Sequence, residues 1–574
     1  SMAGDFRSTP LAYWLRRPVN RRALLRGSLT LAGGAAMASF LAACGGESSS
    51  GGDTGSGGGN TSGGGATPAA SPTAGQFRPV QTQVTAEGKF GGLLRVAIVG
   101  EPPAFDPTFT TATVTQNCAW HVFETLWTPD ANFSPKEMLL DSYEVQDDGK
   151  VFILKLRDGV LFHNGKKMGA DDVIASLERY SVLSGRGKTL FERVEGLDKV
   201  DDLTVRLAFK EPTGIAPVFL SETDAIIIPK EIADASHDGE MGEFIGTGPY
   251  MLKERLPDRY ISLVRFEDYQ PLEGGPDGYG GTKIAYFDEI RFIPVPEVAV
   301  RGDGLITDEF DFADTLSTDN FDSLSAEPDL TTQVVLPYYF YGAHFNKSEE
   351  SIMSNRDLRM ALLTACDLDA AAAAGFGRPE FYRLGPEMAA PETAWYTDAG
   401  KEFYNLKDPD KAREMLQAAG YDGTPIRWIA TKEYAYNYNM AVVLKEQMEK
   451  AGAVIDLQVM DWATLVATRS QRDAWDIFIT GHESYSHPVL QPFMSESWPG
   501  FWSSPTKDDL VNKIIAEPDP DKQMEYIEQL QYHWWEEAAY IKVCEGATLR
   551  AYRNRVQGYV NPADWFFWNV WFEE

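Results

Sequence analysis

The segment Gly481-His482-Glu483-Ser484-Tyr485-Ser486-His487-Pro488 gathers two imidazoles, a carboxylate, two hydroxymethyl groups and a phenol within eight residues. Such a set can hydrogen-bond a polar solute, hold a metal ion or move protons. Metal binding fits poorly, because His482 and His487 are five apart and a zinc helix carries its two imidazoles four apart. Proton-transfer chemistry needs a nucleophile set beside its base. The chain has no GxSxG, no HExxH, no P-loop and no glycine fingerprint after a strand. The segment is therefore read as a source of ligand contacts, from Gly481, His482, Glu483, Ser484 and Tyr485. No enzyme activity, metal or cofactor is expected.

Other residues offer recognition chemistry. Trp462 presents a flat apolar face, and Arg469, seven residues on, has a fork that matches a carboxylate. The alternatives are core packing for Trp462 and a surface ion pair for Arg469. Aromatic residues cluster at Tyr338-Tyr339-Phe340-Tyr341, at Tyr434, Tyr436 and Tyr438, and at Trp498 and Trp502. They suit a ligand with apolar or sugar faces, or else they fill cores. Thr110-Thr111-Ala112-Thr113 offers hydroxyls, with Thr111 the candidate contact.

These residues must be positioned by alternating strands and helices. Gly91–Val99, Val151–Leu156 and Leu203–Phe209 read as strands, the last with Leu203, Val205, Leu207 and Phe209 on one face. Asp171-Asp172 followed by Val173, Ile174 and Leu177 predicts a capped helix. Asp408-Pro409 opens another, which Gly420 stops. Leu444, Met448 and Ala451 form a third helical stripe, ended by Gly452, and Ile455, Leu457 and Val459 alternate as a strand over 454–460. Asp476–Ile479 predicts a strand running into the polar segment as a loop. Interleaved helices and strands make the class α/β.

The chain has 52 Lys and Arg against 84 Asp and Glu, a net charge of −32. So acidic a surface repels phosphate backbones, and no nucleic-acid partner is expected. Residues 16–43 read as an export signal. Arg16, Arg17, Arg21 and Arg22 precede a glycine-broken apolar run that ends Leu41-Ala42-Ala43-Cys44. Asn20–Arg26 resembles a twin-arginine motif, with an ordinary secretory signal as the alternative. Leu41–Cys44 resembles a lipobox, which implies cleavage before Cys44 and lipid attachment to its sulfur. Residues 45–75, rich in Gly, Ser and Thr, cannot bury enough apolar area to fold. Cys118, Cys366 and Cys544 show no metal spacing. They read as buried small residues, though an exported chain permits one disulfide.

Six strings in order resemble the family 5 extracellular solute-binding proteins, which include dipeptide- and oligopeptide-binding proteins. They are Gly91–Val96 with Phe105-Asp106-Pro107, Phe152–Glu178, Gly246-Thr247-Gly248-Pro249-Tyr250, Arg356–Leu362, Asp408–Tyr421 and Arg555–Tyr559. The resemblance implies a type II periplasmic-binding-protein fold of the large cluster with an extra lobe, whose lobes close about a hinge. The N-terminal signals place an export signal over 1–43 and a lipid-anchor Cys and linker over 44–89, and the resemblance implies lobe I at 90–128, 243–336 and 541–574, lobe II at 129–242 and lobe III at 337–540. It also implies a monomer that delivers a peptide to an ABC importer's permease subunits, held to the membrane by lipid on Cys44. Ligand contacts would come from Trp462, Arg469, Tyr436, Tyr338, Tyr341, Thr111, Trp498 and Trp502 together with residues 481–485. In peptide-binding relatives the loop after residue 481 carries an Asp that pairs with the peptide ammonium. Ser484 or Tyr485 stands there in this chain, and Glu483 is the nearest carboxylate. An oligosaccharide or an opine-like amphipathic solute is the alternative ligand, and a protein partner on the same scaffold is the alternative of another kind.

Overall fold

The computed structural model describes residues 88–560 and 563–573. The expected signal, Cys44 and the tether lie outside those residues.

An eleven-stranded sheet is the spine. From one edge its strands run Tyr250–Leu256, Tyr260–Arg265, Glu289–Pro294, Leu93–Ile98, Phe312–Leu316, Tyr540–Arg553, Leu330–Phe345, Ile477–Glu483, Ile426–Ala430 and Ile455–Val459. The short Tyr382–Arg383 strand pairs beside Tyr540–Arg553. Leu93–Ile98 is parallel to both neighbours, and Ile426–Ala430 is parallel to both of its own. Parallel strands are covered on both faces, which explains the apolar run Leu93-Leu94-Arg95-Val96-Ala97-Ile98.

The two long strands at the centre cross from one half of the sheet to the other. Their antiparallel ladder runs from Leu330↔Arg553 to His344↔Tyr540, and its register shifts between Val335 and Tyr339. On one side of the shift Tyr540–Arg553 pairs with Phe312–Leu316. On the other, Leu330–Phe345 pairs with Ile477–Glu483. A two-stranded ribbon therefore links the two halves at Val335–Tyr339 and Gly546–Thr548. Gly546 is required there, since a Cβ would sit 2.1 Å from the Phe376 ring.

The three largest apolar cores among the described residues form around this frame. The first packs Leu94, Val96, Phe287, Phe292, Trp565 and Phe567 on the Leu93–Ile98 half of the sheet. The second lies between a separate four-stranded antiparallel sheet and the helix Ala170–Leu183, with Phe152, Leu154, Leu177, Leu207 and Phe209 buried. The third buries Phe340, Leu362, Trp428, Leu444, Trp534 and Trp535 among the helices Arg356–Ala365, Ala435–Ala451 and Pro520–Glu536.

Local signals act largely as the sequence predicts. Asp408 caps Pro409–Ala418 by accepting from the Lys411 amide at 2.9 Å, and Gly420 and Gly452 follow their helices with positive φ. The helix Ala170–Leu183 differs in detail. Its cap is Gly169, and Asp172 reaches back to accept from the Gly169 amide at 3.0 Å. Asp171 and Asp172 thus lie in the first turn, where the helix dipole favours carboxylates. The strand predicted over Asp476–Ile479 continues to Glu483, because pairing with Tyr339–Phe345 satisfies its backbone that far. Gly481, His482 and Glu483 are therefore strand residues. Tyr436 and Tyr438 lie in the first turn of the helix Ala435–Ala451. Cys118, Cys366 and Cys544 are buried free thiols.

Buried ion pairs brace the first core, and one of them ties it to the second. Arg179 pairs with Asp106 with both side chains buried, and also donates to the Ser236 carbonyl at 2.9 Å. Lys283 pairs with Glu124 at 3.3 Å, which also accepts from Tyr269 and Thr247. The third core touches the second through Ile515, which packs into the second core with Val489, Val511 and Trp395 beside it. The Ile515 carbonyl accepts from the Gly214 amide at 2.8 Å and from Thr213 Oγ1 at 3.1 Å. No helix among the described residues is long and apolar enough to cross a membrane.

Candidate functional site

Two chambers lie side by side between the cores. One, of about 630 Å³, is walled by Thr113 and Thr315–Thr318 from the first core's side and by aromatic residues of the ribbon and the third core. Strand alternation and the Gly481 backbone set its geometry. Tyr341 lies opposite Gly481 in the ladder, and a Cβ on Gly481 would stand 2.6 Å from the Tyr341 ring. The glycine lets that ring lie over the strand, where it meets Tyr436 at 5.1 Å and Phe376 at 5.3 Å between centroids. Asp461 caps the helix Trp462–Thr468 and so places Trp462 at its first position. The Trp462 ring stands 5.0 Å from Tyr434, edge to face. Tyr338 and Tyr339 complete the wall, 4.7 Å apart. The chamber offers flat apolar faces with threonine hydroxyls opposite.

The second chamber, of about 670 Å³, is lined by Thr111, Gln116, Arg186, Asp224, Glu483, Ser486 and Gln491 among others. It shares Tyr339 and Gly481 with the first. Beside it lies a void of about 30 Å³, bounded by Glu222, Glu483, Tyr485, His487 and Asp564. The electrostatics here are lopsided. Arg186 stands 3.3 Å from Glu222, 3.6 Å from Asp224 and 3.9 Å from Glu483. Burial and the neighbouring carboxylates push the carboxyls of Glu222 and Asp564 up to about 7. Glu483 also accepts from Ser486 Oγ at 2.6 Å.

The remaining predicted residues are distributed unevenly. Tyr338, Tyr341, Tyr436, Trp462 and Gly481 wall the aromatic chamber; Thr111, Gly481, His482 and Glu483 wall the polar one. His482 is nonetheless mostly buried, with its Nε2 2.8 Å from that of His344, and burial pushes its pKa down to about 3. Tyr485 stacks on Phe133 at 5.3 Å beside the small void. Ser484 is wholly buried, and its amide donates to the Tyr338 carbonyl at 3.1 Å. Arg469, Trp498 and Trp502 line neither chamber. The Arg469 guanidinium sits among the rings of Trp462, Phe478 and Trp498 at 5.5–5.7 Å, and its Nε has no hydrogen-bond partner. Trp502 is buried in the third core, stacked on His533. Tryptophans are large enough that packing claims them before a ligand does.

Sequence reasoning missed Arg186, Glu222, Asp224 and Asp564. The first three lie in the second core's chain, far in sequence from the aromatic motifs. Asp564 had a legible signal: it is the lone acid in Ala563-Asp564-Trp565-Phe566-Phe567-Trp568.

Known proteins share this architecture and about a quarter of the aligned residues. A probable peptide ABC transporter periplasmic-binding protein, y4tO, from Sinorhizobium fredii is 26% identical over 492 residues, which is 81% of this chain and 91% of that one. The oligopeptide-binding protein AppA of Bacillus subtilis is 27% identical, covering 67% of this chain and 72% of its own. The crystal structure of the ABC transporter substrate-binding protein CtaP from Listeria monocytogenes superposes with a TM-score of 0.74 at 20% identity, covering 85% of this chain and all of that one. Residues 134–504 match the family model described as bacterial extracellular solute-binding proteins, family 5 Middle, and the chain belongs to that family.

Proposed function

We infer that this protein captures a peptide between its first and third cores and delivers it to the permease subunits of an ABC importer. The observation that carries this reading is the paired arrangement of the chambers. Aromatic faces at Tyr338, Tyr341, Tyr436 and Trp462 adjoin a carboxylate-rich end at Glu483 across the shared Tyr339 and Gly481. A short peptide has matching parts, a cationic amino end and a run of side chains of mixed polarity. The relatives named for peptides, at 26% and 27% identity, support it. In this reading the three cores are lobes I, II and III. The ribbon at Val335–Tyr339 and Gly546–Thr548 is the hinge, and closure follows because ligand touches both sides of the cleft. The protein works as a monomer, exported and held to the membrane by lipid on Cys44.

A second reading, an oligosaccharide or opine-like solute, draws on the density of rings around the 630 Å³ chamber. One experiment separates the two. The purified full chain is denatured and any released small molecule identified by mass spectrometry. That molecule, di- to pentapeptides, and cello- and xylo-oligosaccharides are then tested for a rise in Tm. A ligand at a hundred times its Kd adds about 2.7 kcal/mol to stability. Peptide stabilisation is expected. Stabilisation by sugars alone transfers the function to the second reading, and no shift with any solute points to a protein partner.

A further inference from the structure

We propose that residues 386–399 form a strap that latches the third core onto the rest of the molecule when the cleft is shut, with the Trp395 indole as its bolt. The proposal deepens the solute-binding reading and rests on it.

The strap's root is fixed to the third core at several points. Gln531, buried on the helix Pro520–Glu536, accepts from the Met388 amide at 2.8 Å and donates to the carbonyls of Thr397 and Ala399 at 2.8 and 2.9 Å. One side-chain amide thus ties both stems, and the chain between them is an Ω-loop. Trp535 Nε1 donates to the Pro386 carbonyl at 2.8 Å. The buried Lys542 ammonium donates to the carbonyl and the carboxylate of Glu387, both at 2.7 Å. Arg383 holds Glu392 through two hydrogen bonds of 2.7 and 2.9 Å and also pairs with Glu545, the residue before Gly546 of the ribbon. The Ala390 amide donates to the Ser484 carbonyl at 2.7 Å, just beyond the strand that walls both chambers.

The tip reaches away from that core. The Ala394 amide donates at 3.2 Å to the carbonyl of Asn132. Asn132 lies in the turn between the strands Trp127–Pro129 and Pro135–Glu137, and Trp127 is buried in the second core. The half-buried Trp395 indole packs against three clusters at once: the third core, the second core, and a ring cluster of Trp120, Phe133, Tyr279, Phe566 and Trp568. It meets the His487 ring edge to face at 4.7 Å and lines the void of about 30 Å³ beside the polar chamber.

The two ends differ in strength. Ion pairs and buried hydrogen bonds hold the root, and charge-assisted bonds are roughly twice as strong as neutral ones. One longer amide bond and the dispersion contacts of a single ring hold the tip. Separating the cores therefore parts the tip and leaves the root whole. Through Arg383 and Glu545 the root also moves with the ribbon strand Tyr540–Arg553. A ring gains its packing only where the surfaces around it are close, so Trp395 contributes only to the shut arrangement. Opening must withdraw the indole, whereas a ligand enters between cores already apart. The strap thus slows release and leaves capture unaffected.

The test uses the full chain and the variants Trp395→Ala and Trp395→Phe. Small-angle scattering without ligand reads how closely the cores are drawn together. A library of di- to pentapeptides is loaded and then diluted, and the peptides still bound are counted over time by mass spectrometry. Trp395→Ala should show a larger radius of gyration and release its peptides at least tenfold faster, with loading unchanged. Trp395→Phe, which keeps a ring at the site, should recover most of both effects. Hydrogen exchange in the helix Pro520–Glu536 should match the wild type. Wild-type release from Trp395→Ala overturns the strap and leaves the peptide reading standing. Faster exchange in that helix also overturns it, because Trp395 would then serve the fold of the third core. If the wild type retains no peptide, the peptide reading falls and the radius of gyration decides the strap: a wild-type radius in Trp395→Ala overturns it.

Discussion

Gly214 offers a way to weaken closure without touching the ligand. Its amide donates to the Ile515 carbonyl at 2.8 Å, across the contact between the second and third cores. A Cβ at this position would stand 1.9 Å from the Glu517 carbonyl oxygen and 2.7 Å from Gln523 Nε2, and those nearest atoms all belong to the third core's side. Gly214 is not among the positive-φ glycines, so alanine suits its backbone within the second core. Gly214→Ala must therefore push the Ile515–Glu517 segment away and break two hydrogen bonds, those from Gly214 and from Thr213 Oγ1. At about 1 kcal/mol each, the closed arrangement loses about 2 kcal/mol. If ligand binds only the closed arrangement, affinity falls by up to about 30-fold. The assay pairs small-angle scattering of the ligand-free protein with calorimetric titration of the ligand recovered from the wild type. A larger radius of gyration and weaker binding are expected, with the melting of the separate cores unchanged. Wild-type compactness and affinity in the variant would refute the reasoning, and a broad loss of stability would show that Gly214 serves the fold of the second core instead.

Other outcomes follow from the same structure. Asp106→Asn strands the buried Arg179 guanidinium, and urea unfolding should show a loss of about 3–5 kcal/mol. Arg469→Met removes a cation held only by aromatic rings; stability should drop by about 1–2 kcal/mol while ligand affinity, measured by titration, stays the same. The carboxyls of Glu222 and Asp564 are raised from 4.5 and 3.8 to about 7. The folded chain thus holds protons that the unfolded chain has released, and their contribution to stability falls as pH rises from about 4 through 7. Tm of the ligand-free protein against pH should show that decline, and Glu222→Gln should flatten it. Trp462→Ala removes one wall of the aromatic chamber and should weaken binding about tenfold or more, at roughly 1.5 kcal/mol or more for a buried ring contact.

The amino-acid sequence determined the elements. Alternation fixed Thr204–Phe209, the Asp408-Pro409 pair began a helix where local hydrogen bonding demands one, and Gly420 and Gly452 ended helices because they accept positive φ at little cost. Such signals depend on neighbours a few residues away, so they are legible in one dimension. Ordered strings over residues 91–560 also made the family legible, and the aromatic residues Tyr338, Tyr341, Tyr436 and Trp462 singled out in the sequence wall one chamber. Tertiary structure alone decided which residues face empty space. Trp502 and Arg469 have the chemistry of ligand contacts yet are taken up by packing, while Glu222 and Asp564, 342 positions apart in the numbering, converge on one void. Strand length was likewise settled from outside: Gly481–Glu483 became strand because Tyr339–Tyr341 offered their backbone a partner. Charge clusters and ladders of this kind depend on distances between segments that local pattern does not encode. Only the folded chain brings Glu222, Asp224 and Glu483 around the Arg186 guanidinium.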